Sequence, residues 1–387
     1  MEFDFTTELD RRQYPSTKWQ RFDEDTLPMW VADMDFAVAP AIQQALSARV
    51  GHAIFGYANP SASLKEALCD WSRDHYDWHI DAAWQIWLPG VVPALHVASL
   101  SLTEPGDEVM TLTPIYPPFL QVGELTGRVT RAVPMRPPEE SEGGRWEIDF
   151  DALDRAVTPR TRLLLWCHPH NPTGRVFEQQ ELERLADFVE RHDLIVCSDE
   201  LHCDLILESG RRHQPLARAV PRLSARTITL WAASKTFNVA GLAVACAVIE
   251  EPRLRARFAR GCIGLMPSHN VLGLAATEAA YRHGEPWRQA LLAQLRENVS
   301  MLETFVARWP GVGMSRPEAT FLAWLDCRAA GLGESPQRAL LERAKVGLSD
   351  GADFGWPGFV RINLGTQPRR LQEGLNRLDS VLAAVPE

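Results

Sequence analysis

From Arg162 to Asp199 the chain reads RLLLWCHPHNPTGRVFEQQELERLADFVERHDLIVCSD. An unbroken apolar run, RLLLWC, stops at a turn-rich segment. Then EQQELERLADFVERH repeats its apolar positions at helical spacing, and a second apolar run, LIVCSD, follows. Short strands buried on both faces, joined through an amphipathic helix, are the signature of a parallel sheet covered by helices. Working outward, the same alternation recurs. Upstream lie strand-like WQIWLP and DEVMTLTP, with helical PALHVASLSL between them and another helix after Tyr116; downstream lie TITLWA and AVACAVI. AVACAVI follows the turn-like FNVAG, which fits a closing antiparallel strand. Helical patterning resumes around Arg253 to Arg260.

The last hundred residues change character. A long helix (about 285–309) precedes strand-like TFLAWLD, helical PQRALLERAK, strand-like FVRINLG and a final helix over 370–384. This predicts an α/β architecture: a large domain with a mostly parallel sheet over 50–284, and a smaller α+β domain built from 1–49 and 285–387. PMRPPEESEGGR (134–145) reads as a surface loop.

Composition narrows the function. Of 387 residues, 45% are hydrophobic and 23% charged, as in ordinary soluble proteins, and the net charge is −10. Nucleic acid and anionic membranes, which demand a concentrated positive surface, are therefore not expected as partners. No apolar stretch approaches the roughly 18 residues of a membrane span. The acidic MEFDFTTELDRRQ does not read as a signal peptide. Seven irregularly spaced cysteines without a CxxC pair suit a reducing cytoplasm better than a disulfide framework or zinc site. His75 and His79 have a spacing that can bind metal on a helix, but no carboxylate pattern accompanies them, and no metal is expected. Arg253, Arg255, Arg257 and Arg260 read as a solvated helix face. Gly311 and Gly313 do not form a dinucleotide motif.

In open α/β sheets ligands gather at the carboxyl ends of the strands. WQIWLP is followed by Gly90, Val91 and Val92 opening a helix, where free amides suit a phosphate. DEVMTLTP is followed by Tyr116, a ring able to stack on a planar group. RLLLWC leads to Asn171, LIVC to Ser198, Asp199 and Glu200, and TITLWAA to Ser234 and Lys235. Acids and a lysine beside a core are costly unless they meet a partner. Pyridoxal phosphate calls for each of these parts. Its aldehyde needs a lysine amine, its pyridine nitrogen a carboxylate, its ring hydroxyl a donor, its ring face an aromatic, and its phosphate a cradle.

The blocks Asn171-Pro-Thr-Gly174, Ser198-Asp199-Glu200 and Ser234-Lys235-Thr-Phe resemble those of class I/II aminotransferase-like enzymes of fold type I. Trp30-Val-Ala-Asp-Met-Asp-Phe36, Phe55-Gly56-Tyr57, Pro89-Gly-Val-Val92, His170-Asn-Pro-Thr-Gly-Arg175, Asp199-Glu-Leu-His202 and Ser234-Lys-Thr-Phe-Asn-Val-Ala-Gly241 are similar, more narrowly, to the cystathionine β-lyase branch of MalY/PatB-type carbon–sulfur lyases. The resemblance spans nearly the whole chain.

That resemblance implies a seven-stranded sheet in the large domain and a homodimer with shared active sites. It makes Lys235 the Schiff-base lysine and proton shuttle, sets Asp199 on the pyridinium and Asn171 on the ring hydroxyl, and stacks Tyr116 on the ring. Val91 and Val92 amides after Gly90 cradle the phosphate, with Ser234 assisting. His202 takes the place where many transaminases carry a tyrosine near the ring hydroxyl. Arg361 grips the substrate carboxylate, and Tyr57 reaches in from the partner subunit. Many relatives carry an arginine eight residues after the lysine; here that residue is Ala243, a departure shared by the lyase branch. The implied activity is β-cleavage of L-cystathionine or related L-cysteine S-conjugates to a thiol, pyruvate and ammonia. An aminotransferase acting on an L-amino acid, and a regulatory protein on the same scaffold, are the alternatives.

Overall fold

The computed structural model describes residues 3–141 and 144–383. Seven strands form its central sheet: β1 (Gln85–Leu88), β2 (Glu108–Thr113), β3 (Val129–Pro134), β4 (Thr161–Cys167), β5 (Ile195–Asp199), β6 (Thr227–Trp231) and β7 (Ala245–Val248). Their spatial order is β1-β7-β6-β5-β4-β2-β3. The run from β6 to β3 is parallel throughout, and β7 is antiparallel to both β6 and β1. AVACAVI is thus the closing antiparallel strand that its preceding turn foretold.

The apolar run of β4 is explained by cover on both faces. Leu164 and Trp166 pack with Leu182, Leu185 and Phe188 of the helix Gln179–Arg191. Leu163 and Leu165 point the other way, into a cluster with Val91, Leu95 and Ala98 of the helix Val91–Leu102. Successive strand side chains alternate faces, so a strand with helices on both sides has no polar position to spare. Each fully buried Leu, Val or Phe side chain contributes about 1.5–3 kcal/mol. The helix Gln179–Arg191 starts where the Glu181 carboxylate turns back to accept the Glu178 N–H at 2.8 Å.

β3 lies at the sheet edge, and of its six residues only Val133 is buried. An edge strand with mixed residues carries no apolar run, so the sequence pattern passes over it. The 134–145 loop also holds more structure than expected: Arg136 bridges Glu147, and Pro138–Glu140 form a 3-10 turn, while residues 142 and 143 lie outside the described residues.

A second, antiparallel sheet consists of β8 (Gly313–Met314), β9 (Leu322–Asp326), β10 (Ser349–Asp350) and β11 (Phe359–Asn363), in the order β10-β11-β9-β8. The helices Glu285–Val306, Pro336–Ala344 and Pro368–Leu382 accompany it; Ala384, the expected end of the last helix, lies outside the described residues. The N-terminal segment joins this part. Leu27–Pro28 pair in parallel with Val346–Gly347, and Asn363 Nδ2 donates to the carbonyls of Val31 and Asp33. Lys18 is buried and pairs with buried Asp35 at 2.8 Å, where Trp19 Nε1 also donates at 2.9 Å. Segment 30–36 is thereby held where the two sheets meet. The helix Ala62–Tyr76 ends before His79, so His75 and His79 do not share a helix face; His75 Nε2 meets Glu285 instead, at 3.1 Å.

Candidate active site

The carboxyl ends of β1, β2, β4, β5 and β6 converge on one cavity of about 220 Å3. Gly90, Val91, Val92, Tyr116, Asn171, Asp199, His202, Ser234 and Lys235 line it, and Arg361 reaches it from β11. Ten of the eleven residues singled out in the sequence therefore meet in one place. The eleventh, Tyr57, does not reach the cavity of its own chain. It is 97% exposed, in a surface depression with Phe55, Gly56, His269 and Asn270. Of the WVADMDF segment, Val31 and Ala32 line the cavity.

Lys235 Nζ donates to the Ala32 carbonyl at 2.7 Å. Burial, with the nearby Arg361 cation adding to it, brings the amine down to about 8, against the pull of Asp33 and Asp199. Neutral amine is therefore accessible near physiological pH. Asp199 is buried at the end of β5, and among the described residues its carboxylate accepts one hydrogen bond, from the Leu201 N–H at 3.0 Å. Burial pushes its carboxyl up to about 7, opposed by that N–H and by Lys235. Its charge lacks a close cationic partner among the described residues.

Asn171 sits in a constrained turn. The His170 N–H donates to the Arg175 carbonyl at 2.9 Å, and the Gly174 N–H to the His170 carbonyl at 2.7 Å. Gly174 has φ +72°, and a Cβ there would stand 2.7 and 2.9 Å from Pro317 Cβ and Cα. Glycine is required for both reasons. Asn171 Oδ1 accepts from Arg361 Nη1 at 3.0 Å, leaving its NH2 as the donor. Arg361 Nη2 donates to the Trp30 carbonyl at 3.0 Å, and its guanidinium lies over the Phe354 ring at 4.7 Å. Among the described residues no carboxylate neutralises it, and burial brings it down to about 10. His202, buried beside Lys235 and Arg361, is pushed down to about 3, first by burial and then by those cations. Its ring is neutral at physiological pH.

The donor set fits pyridoxal phosphate. Asp199 is a buried carboxylate in want of a cation, which a protonated pyridine nitrogen provides. Lys235 offers an amine to an aldehyde. His202 Nδ1 and Arg361 Nε are buried polar atoms without partners among the described residues. The helix Val91–Leu102 begins at Gly90, and its first amides have no carbonyl a turn earlier to accept them. Ala243, in the left-handed region at φ 51°, lines the cavity without a charge to offer a phosphate.

Two groups at the site had no signal in the sequence. The Ala32 carbonyl on Lys235 and the Trp30 carbonyl on Arg361 are backbone atoms, which every residue type carries alike.

Comparison with known proteins agrees with this geometry. The family model "Aminotransferase class I and II" matches residues 27–378. Cystathionine beta-lyase PatB of Bacillus subtilis is 37% identical, over 98% of this chain and 100% of its own length. Among solved structures, OvoB superposes with a TM-score of 0.94 at 42% identity, covering 99% of this chain and 100% of its own. Cystalysin of Treponema denticola, whose structure contains pyridoxal 5'-phosphate, gives 0.92 at 32% identity, with 99% of both chains covered. The chain belongs to the class I and II aminotransferase family, in its pyridoxal-phosphate-dependent carbon–sulfur lyase branch.

Proposed function

We propose that the protein cleaves the Cβ–S bond of L-cystathionine or a related L-cysteine S-conjugate. The thiol leaves, and one water is consumed as the remaining three-carbon unit becomes pyruvate and ammonia. The observation that carries this reading is the convergence of Lys235, Asp199, Asn171 and Arg361 on one cavity, in a chain whose full-length relatives include cystathionine β-lyases.

When bound, the cofactor supplies an aldehyde for amine exchange and a ring that takes up negative charge from Cα. This chain's residues do the rest. Arg361 binds the substrate carboxylate through its fork, assisted by Asn171. The Lys235 amine moves the proton at Cα, and its lowered pKa suits a base working near neutral pH. Asp199 holds a proton on the pyridine nitrogen. The Asn171 NH2 and His202 serve the ring hydroxyl, Tyr116 covers the ring, and Val91, Val92 and Ser234 hold the phosphate. The carbonyl of Ala32 orients the Lys235 amine.

We also propose a homodimer in which Tyr57 enters the partner's site. Its near-complete exposure, alongside exposed Ile54 and Phe55, supports this. The division into 50–284 and 1–49 with 285–387 is supported by the pairing of the N-terminal segment with the second sheet's surroundings. Seven unpaired thiols support a reducing, cytoplasmic setting, and no helix among the described residues is long and apolar enough to cross a membrane.

The test is pyruvate release from L-cystathionine by the holoenzyme with no keto acid added. Steady release with stoichiometric thiol is the expected result. Turnover that requires a keto-acid acceptor identifies an aminotransferase and refutes the lyase reading.

A further inference from the structure

Behind the cavity lies a buried cluster of titratable groups that none of the roles above employs. Asp199 ends β5 and lines the cavity, whereas Glu200, the next residue, lies outside its lining and is wholly buried. Both Glu200 oxygens are engaged. Oε1 accepts from the Ser198 hydroxyl at 2.9 Å and from the Leu216 N–H at 3.0 Å. Oε2 meets His213 Nε2 at 2.7 Å and accepts from Trp231 Nε1 at 3.4 Å. The backbone N–H and the indole N–H can only donate, and they meet one oxygen each. These surroundings fit the ionised carboxylate, although burial pushes it up to about 7.

Two histidines complete the cluster. The His168 and His213 rings lie 4.7 Å apart, and burial keeps both neutral. His168 Nε2 accepts from the Phe177 N–H at 3.1 Å, so its hydrogen sits on Nδ1. His213 directs its hydrogen through Nε2 to Glu200, so its Nδ1 is a bare acceptor. The two Nδ1 atoms, one donor and one acceptor, both lack partners among the described residues. His168 thus favours the His213 tautomer that serves Glu200. It also ties the cluster to the active site, for its N–H donates to the Asp199 carbonyl at 2.9 Å, three residues before Asn171.

Asp199 and Glu200 are therefore consecutive buried carboxylates. Among the described residues neither has a lysine or arginine nitrogen within 4.0 Å. Burial first, and then the Glu200 charge, push Asp199 up. A cation set against Asp199 relieves both carboxylates. We propose that Glu200 is a positioning residue: held ionised by His213, it acts through Asp199 to keep the proton on the cofactor's ring nitrogen. The inference rests on the Asp199–pyridine contact proposed above and holds whether the substrate is cleaved or transaminated.

The experiment is a double-mutant cycle read from cofactor binding. Apoenzyme of the unsubstituted protein, Glu200→Gln, Asp199→Asn and the double variant is titrated with pyridoxal phosphate at one fixed pH, and Kd is measured. A neighbouring charge is worth about one pKa unit at the low end of such effects, so Glu200→Gln is expected to raise Kd about tenfold. In the Asp199→Asn background the ring nitrogen carries no proton to hold, and the same change is expected to alter Kd by less than twofold. An unchanged Kd in Glu200→Gln, or an equal factor in both backgrounds, overturns the inference and leaves the Asp199 contact standing. An unchanged Kd in Asp199→Asn overturns both. Neutron diffraction from the unsubstituted holoenzyme gives a readout that needs no variant to fold. Hydrogens on His213 Nε2 and His168 Nδ1, with none on Glu200, are expected; a hydrogen on the Glu200 carboxyl overturns the inference.

Discussion

Arg361 is the residue whose environment most constrains its role. It is buried, it has no carboxylate partner among the described residues, and its fork is held by Asn171 and the Trp30 carbonyl in the cavity that Lys235 also lines. A buried arginine without a counter-ion is costly to the fold, and on the proposed role a substrate carboxylate would remove that cost on binding. Arg361→Lys keeps the charge and loses the planar fork. A charged hydrogen bond is worth about 1.5–3 kcal/mol, so KM for an amino-acid substrate rises roughly 10–100-fold while kcat changes less. Steady-state kinetics on the variant checks this; an unchanged KM removes Arg361 from the carboxylate site. Asn171, Asp199 and Lys235 were legible because polar groups at the ends of apolar strands stand out against the core, whereas Arg361 lies within its strand and was named only through the family resemblance. The backbone acceptors on Lys235 and Arg361 were not, since a carbonyl has no residue-type signature.

At the scale of elements, the strand-to-helix turns set the site. The His168–Arg175 turn presents Asn171, and Gly174 lets its backbone pass Pro317. Gly174→Ala places a side chain at positive φ, a cost of about 1–2 kcal/mol, and adds a contact that the Pro317 backbone cannot relieve by a rotamer change. Thermal unfolding is expected to show Tm lowered by several degrees, with activity reduced through displacement of Asn171; a Tm equal to that of the unsubstituted protein contradicts this account of the turn. The same elements show what periodicity can reveal. β4, β5 and β6 announce themselves because helices cover both of their faces. β3 does not: it is an edge, five of its six residues reach solvent, and only pairing with β2 makes it a strand.

Across the whole molecule, Tyr57 bears on assembly. A tyrosine 97% exposed, beside exposed Ile54 and Phe55 in the chain, is unusual for a free surface. The dimer reading turns this surface into an interface that completes the neighbouring site. Sedimentation equilibrium of the holoenzyme is expected to give twice the 43.4 kDa chain mass; a monomer that retains full turnover contradicts a shared site. Sequence could name Tyr57 only through family resemblance, because a residue with the proposed role in another chain would leave no trace in the periodicity or contacts of its own. The position of segment 30–36 is likewise a property of the whole chain: Lys18, Asn238 and Asn363 hold it from three distant points.

The central claim is that the amine of Lys235 holds the cofactor covalently, and borohydride reduction tests it directly. Reducing the holoenzyme, digesting it and mapping the pyridoxyl group by mass spectrometry should find the label on the peptide containing Lys235. A label on any other lysine, or none on a protein that turns over thioethers, would contradict it.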